Sequence, residues 1–558
     1  MKPDIRWQLL LAVVCIGLVI SVIGIEYQGA GICSDLVPAG GGKLIEGIVG
    51  LPSHINPLLS DQNPIDEYLV DLIFDGLTRY DENGKLIPAL AESWSVSEGG
   101  RVYTFQLNEN ARWQDGQQVT SDDVYFTYNL LKQDAFPASE KMKSIMASAS
   151  IEILDKFSIR FEIPEPYGPF LEATTIGLLP AHILDDVDPE ELVDHQFNKA
   201  PIGTGPFMVI PGRDWQQTGI LNLAPNPHYW RQGVNLDGLD IRFYSKGEQL
   251  ANAYSSGEIQ AITSIQSPDM DVISTLPGIR IFTSRAPRLT QLIFNLNQEG
   301  DLAIQDLQMR QAVVYGLDRE VLIDEVLNGL GLPLEGPFLP SNWAYNPGSM
   351  TEYAYDPAQS STLLSTLGWE WVSGNEYRSN SSQQLDFQLL FADNDRMRTI
   401  AKDIAAQWAD IGVNTILVPT PGGEFTDRLK EGKFDIALVE VEPTSDPDLY
   451  DFWSQEAIVR GQNFGGWNNR RASEALESAR QLNSPADRKP YYEVFLNIFN
   501  EELPALTLFQ YVRSYGISST VEEVDIGQFN SPREIYESFA KWFFFYREVA
   551  VACPGEET

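Results

Sequence analysis

The chain has 558 residues, with 39 basic against 78 acidic side chains and a formal charge of −39. Such a polyanion excludes nucleic acid and anionic membrane surfaces as partners of the whole chain, and the length implies roughly three or four domains or two large lobes. Apolar content of 43% with 21% charged residues excludes a disordered polymer.

In chain order, the first feature is Trp7 to Ile25, "WQLLLAVVCIGLVISVIGI", which carries no charge. At ~1.5 Å per helical residue it covers about 28 Å, nearly a bilayer. Lys2 and Arg6 precede it, so the positive-inside preference keeps the N-terminus in the cytoplasm and sends the remainder out. The run is longer than the ~7–15-residue core of a cleaved signal peptide, which favours an uncleaved anchor. A lipoprotein signal needs a small residue before its cysteine, whereas Cys33 follows Ile32 and Cys15 follows Val14. Cys33 and Cys553 bracket the extracytoplasmic part; in an oxidising compartment they are either a bridge tying the ends together or two unrelated thiols.

A Gly-rich linker, Pro38 to Lys43, leads into a strand-like "KLIEGIVG", and Ile65, Leu69, Leu72, Ile73 and Leu77 then form a helical stripe. Tyr103, Phe105 and Leu107 alternate as the buried face of a strand. A turn at Asp115 and Gly116 precedes Thr120 and Asp123 at capping-box spacing, with Val124, Tyr128 and Leu131 following at helical spacing. Ile151 to Ile163 reads as a β-hairpin. Neither the G-x-G of Gly203 and Gly205 nor the "GGGK" ending at Lys43 continues as a phosphate-binding loop, so any ATP hydrolysis belongs to another subunit. Asp318 caps a helix carrying Val321, Leu322 and Val326 that Gly329 stops, and Asp356-Pro357 opens another that ends at Gly368. Met397, Ile400, Ala401, Ile404, Trp408 and Ile411 make a further stripe. The strand Val413 to Val418, the helix Glu424 to Glu431 and the strand Phe434 to Val441 complete an α/β alternation. Arg533 to Val551 reads as a helix-rich extension whose aromatics pack on the body.

The last of these strands places Phe434, Ile436, Leu438 and Glu440 on one face, so a carboxylate ends an apolar row at the strand's carboxyl end, where open α/β sheets bind ligands. Glu442, Asp446, Asp448 and Asp451 follow, an acidic segment suited to a cation or protonated amine. Trp343, Tyr345, Trp453 and Trp467 are candidate apolar walls. Glu440 and Glu442 also allow a carboxylate-dependent hydrolase, but His54, His182, His195 and His228 show no compact metal spacing and no G-x-S-x-G elbow occurs.

Leu86 to Leu131, "APIGTGPF" from Ala200, "NPHYW" from Asn226, "YSSGEIQAI" from Tyr254 and Leu292 to Gly331 together resemble the extracytoplasmic solute-binding proteins of peptide/nickel-type ABC importers. The resemblance implies an α/β, two-lobed periplasmic-binding-protein fold, type II-like and of the large peptide-binding class, with an extra domain inserted in the first lobe. Mapped onto this chain, 1–42 is anchor and linker, 43–78 begins the first lobe, 79–199 is the insert, 200–287 returns to the first lobe, 288–500 is the second lobe, and 501–558 closes the first lobe and extends beyond it. It further implies a monomer without cofactor that captures a peptide or other small solute and delivers it to a membrane permease served by a separate ATPase. A surface-tethered sensor without transport is the alternative. His54 and Asn56 lie on the loop after the first strand, which in this family approaches the ligand. The sequence also departs from the peptide binders: Pro443 stands where they place the Asp that holds a peptide amino terminus, and Phe391 aligns near the Arg that some dipeptide binders use for the carboxylate.

Overall fold

The computed structural model describes residues 32–81, 85–231, 233–297, 300–381, 383–524, 526, 539 and 541–552, together with Trp7, Val14, Ile16 and Leu18. The expected membrane span is otherwise outside the described residues, among which no helix is long and apolar enough to cross a membrane.

Among the described residues an eleven-stranded sheet runs through both halves of the molecule. In the first half, Lys43–Val49 lies parallel to Gly238–Tyr244 on one side and Ala261–Ile262 on the other, and Ile220–Pro225 and Phe207–Val209 continue the sheet outward. In the second half, Asp386–Ala392 lies parallel to both Asn414–Thr420 and Ile436–Val441. The helix Asp395–Asp410 connects the first two of these, capped by Asn394, and buries Met397, Ile400, Ala401, Ile404 and Trp408 as its 3.6-residue period requires.

Two long antiparallel strands, Ile279–Phe294 and Ala505–Ser518, cross between the halves. Their pairing slips between Arg285, which opposes Val512, and Leu289, which opposes Gln510. Ala286, Pro287 and Arg288 fill the gap, and Pro287 has no N–H for the ladder. An irregularity of this kind bends a strand and breaks its pairing locally. It falls at the boundary between the portion of the ladder facing the first lobe and the portion facing the second.

A separate antiparallel sheet, in spatial order Ala91–Ser97, Val102–Leu107, Ser158–Glu162 and Ser150–Asp155, belongs to the insert. Tyr103 and Phe105 are 0% exposed on its inner face. The ring of Phe161 meets Phe105 edge-on at 5.7 Å and Tyr128 at 5.2 Å. Each such side chain contributes about 1.5–3 kcal/mol by leaving water. The helix Ser121–Leu130 supplies Tyr128 and begins with the reciprocal cap between Thr120 and Asp123.

One expectation is corrected at the chain ends. Phe545–Ala552 is a strand, not helix; it pairs antiparallel with Ile32–Ala39. Its valines alternate at Val549 and Val551, a period that suits a strand once a partner is present. The Gly-rich linker is held against the first lobe, with the Gly41 amide donating to the Asn235 carbonyl at 2.9 Å. Cys33 opposes Val551, and Cys553 lies outside the described residues.

Candidate functional site

The helix Pro64–Ile73 of the first lobe opens with Asn63, whose side chain accepts from the Ile65 amide, and with Pro64 at its first position. It buries Leu69, Leu72 and Ile73 and turns Glu67 to solvent. Glu67 is exposed yet electrostatically coupled to charged groups of both lobes. Lost hydration, followed by the charges of Asp71 and of Glu442 from the second lobe, pushes its carboxyl up to about 7, against the pull of Arg513. Arg513 stands on the second crossing strand, opposite Ser284. Burial lowers its pKa, and Glu67, Asp71 and Glu442 oppose that shift.

The strand Ile436–Val441 reaches the same place from the second lobe. It is buried on both faces: Ile436 and Leu438 join one apolar cluster, Ala437 and Val439 another. Phe434 falls before the strand and belongs with Ala437 and Val439, so it is not in the row that Glu440 ends. Glu440 opposes Thr290 of the first crossing strand and accepts from Arg396 Nη2 at 2.9 Å. The Arg396 guanidinium lies 5.2 Å over the ring of Tyr511, whose hydroxyl accepts from Thr290 at 3.1 Å. Burial first, and then Glu440, hold the Tyr511 hydroxyl above its ordinary range. Glu442 accepts from Arg288 Nε at 2.6 Å, and Arg288 is the residue that fills the break in the crossing strands. Carboxylates from both lobes and arginines from the crossing strands therefore share one electrostatic neighbourhood.

The acidic loop that follows is differently built. Asp446 receives two hydrogen bonds from Arg488, both 2.6 Å, and Arg480 donates to Asp448 at 2.6 Å. Trp343 lies beneath Arg488 at 5.2 Å, and Tyr345 is half-buried beside it in sequence. The Asn342 side chain ties that segment to the Ser445 carbonyl at 2.9 Å, and a small pocket between them is lined by Phe338, Asn342, Pro443, Asp446, Leu449 and Phe452.

The remaining sequence candidates go elsewhere. Trp453 and Trp467 are 4% and 3% exposed; both pack edge-on against Phe499, at 4.9 and 5.7 Å, and Trp467 donates to Glu502 at 2.6 Å. They pack as interior rings of the second lobe, placed there by the area an indole removes from water. Asn56 is buried and spends its side chain on Asn198 and the Leu58 amide, an Asx turn that shapes its loop. His54 is half-buried, and its backbone N–H, with that of Ser53, donates to Asp66. Among the described residues no group of three or more His, Cys, Asp or Glu side chains is arranged to hold a metal.

Sequence reasoning missed Glu67, Arg288, Arg396, Tyr511 and Arg513. A usable signal is present for three of them: Arg288 in "RAPRLT" and Tyr511 and Arg513 in "YVRSY" put polar or charged groups in the middle of strands whose ends are apolar. A charge inside a strand that a sheet buries marks a place where the sheet opens to something polar.

Comparison with known proteins places this geometry. Residues 85–457 match the family of bacterial extracellular solute-binding proteins, family 5 (middle region). The oligopeptide-binding protein AppA of Bacillus subtilis is 24% identical over 518 residues, covering 91% of this chain and 92% of that protein. The structure of Bacillus subtilis AppA in complex with a nonapeptide aligns with a TM-score of 0.70 at 22% identity, covering 91% of this chain and all of that one. That of NikA from Brucella suis in complex with Fe(III)-EDTA aligns at 0.76 with 21% identity, covering 90% of this chain and all of that one. The chain belongs to the bacterial extracellular solute-binding proteins of family 5.

Proposed function

We propose that this protein is the substrate-binding component of an ABC importer, which captures a peptide or other small solute between its lobes and presents it to a membrane permease. The observation that carries the reading is that Glu67 of the first lobe lies within electrostatic reach of Glu442 of the second and of Arg513 on a crossing strand, while Glu442 is itself held by Arg288. A ligand seated there touches both lobes. It thereby has a higher affinity for the closed arrangement than for the open one, which is the only way a ligand shifts a hinge equilibrium. Trp343, Tyr345 and His54 are proposed as outer contacts of the same ligand, whereas Asp446 is engaged by Arg488.

The protein acts by binding and not by turnover, as a monomer outside the cytoplasmic membrane, tethered through its N-terminal segment. Conversion of a bound compound on prolonged incubation would contradict this. A bridge between Cys33 and Cys553 closes its ends; since the chain has three cysteines, thiol titration of the denatured protein then finds one free thiol, and three refute the bridge. Thermal-shift screening against peptides, sugars and metal chelates identifies the ligand. With that ligand, Glu440→Ala weakens binding while the protein keeps its fold, and unchanged affinity removes Glu440 from the site.

A further inference from the structure

The insert does not merely decorate the first lobe: it reaches across and touches the second. The Ser445 amide donates to Glu172 at 3.2 Å, the Tyr103 hydroxyl donates to Asn483 at 2.8 Å, and the Arg480 guanidinium lies 5.2 Å over the ring of Tyr167. Arg480 is itself fixed by Asp448 and by the ring of Tyr450, 4.2 Å away. These contacts lie outside the charged centre at the crossing strands and share no residue with it.

The glycines make the case stronger. Gly168 begins the short helix Gly168–Thr175 of the insert, and its backbone is not in the left-handed region, so its own conformation has no need of glycine. Yet a Cβ built there strikes the carbonyl oxygen of Leu482 and comes against the backbone of Arg480, both in the second lobe, and these are the nearest atoms it meets. The nearest atoms to a Cβ built at Gly100 belong to the side chain of Asn483. Gly100 also has a positive φ of 97°, which by itself favours glycine, so it is Gly168 whose lack of a side chain is explained by the insert lying against the stretch from Arg480 to Leu482.

We propose that the insert is a latch: on closure it docks directly on the second lobe through Tyr103, Tyr167 and Glu172, with Gly168 leaving space for the Leu482 carbonyl. The latch adds to whatever the ligand contributes, and it closes one flank of the cleft with protein instead of ligand. A ligand that projects past this flank has to displace it. The device is independent of which solute is bound, so its test does not depend on the proposed function.

The test compares the full-length wild type with Gly168→Ala and with the double variant Tyr103→Phe/Asn483→Ala, using amide hydrogen exchange and small-angle scattering. Exchange at Ser445 is expected to rise roughly fivefold or more, the loss that one hydrogen bond represents, and the scattering to shift toward larger dimensions. Exchange in the core strand Ile436–Val441 stays at its wild-type rate. If Gly168→Ala also speeds exchange in the core strand, the double variant, which adds no volume, decides alone. Wild-type exchange at Ser445 in a folded double variant overturns the latch.

Discussion

Two acidic regions lie within a few residues of each other in the second lobe and behave oppositely. In the loop, Asp446 and Asp448 each have a private arginine from the same lobe, and Arg488 is only 3% exposed in its side chain. At the end of the neighbouring strand, Glu440 and Glu442 meet arginines from other elements, in contact with solvent, and Glu442 feels the charge of a carboxylate of the opposite lobe. In the first arrangement each carboxylate is already neutralised by an arginine of its own lobe, which stabilises that lobe. The second is complete only when both lobes contribute, and can therefore respond to a ligand. Acidity in the sequence marks both regions alike; the ownership of the countercharge separates them.

The sharpest way to break this comparison is to remove one partner in each region. Asp446→Ala leaves Arg488 buried without its carboxylate, and a loss of about 3–5 kcal/mol in denaturant unfolding is expected. A loss below about 1 kcal/mol would show that the loop pair is no more structural than a surface ion pair.

A buried acid outside both regions sets a second scale. Glu46, in the central strand of the first lobe, is 0% exposed, accepts a hydrogen bond from Tyr68 and is pushed up to about 8 by loss of hydration, against the pull of Tyr515. The unfolded carboxyl titrates near its ordinary 4.5, so between that pH and about 8 the folded chain holds a proton that the unfolded chain has released. Stability therefore falls as pH rises through this window. Melting temperatures measured from pH 5 to pH 8.5 should decline in the wild type and decline less in Glu46→Gln; equal slopes would mean Glu46 stays ionised in the folded protein. The smallest effect belongs to the cleft pair: Glu442→Gln, which leaves a solvent-accessible Arg288, should change stability by less than about 1 kcal/mol and lose even that in high salt.

How far the sequence speaks follows from how local each feature is. Tyr103, Phe105 and Leu107 declare a strand because period two is a property of six consecutive residues. The caps at Thr120, Asp318 and Asp356 are legible for the same reason, since each is settled within three residues. Glu440 and Glu442 could be singled out from their place at a strand end, but their partners could not, because Arg288 is 154 residues from Glu442 and Arg396 is 44 from Glu440. Trp453 and Trp467 are ambiguous in the sequence because an indole suits a core and a ligand wall equally well; the structure packs both edge-on against Phe499. The terminal strand Phe545–Ala552 was hidden because its partner, Ile32–Ala39, comes from the far end of the chain.

The central claim is that one ligand is gripped from both lobes at the charged centre. It is tested most directly by calorimetric titration of the screened ligand into wild type, Glu67→Gln and Glu440→Ala, one carboxylate from each side. Affinity lower by about tenfold or more in both variants, with folding intact, is the expected result. Wild-type affinity in either variant would place the ligand on one lobe only and contradict the account.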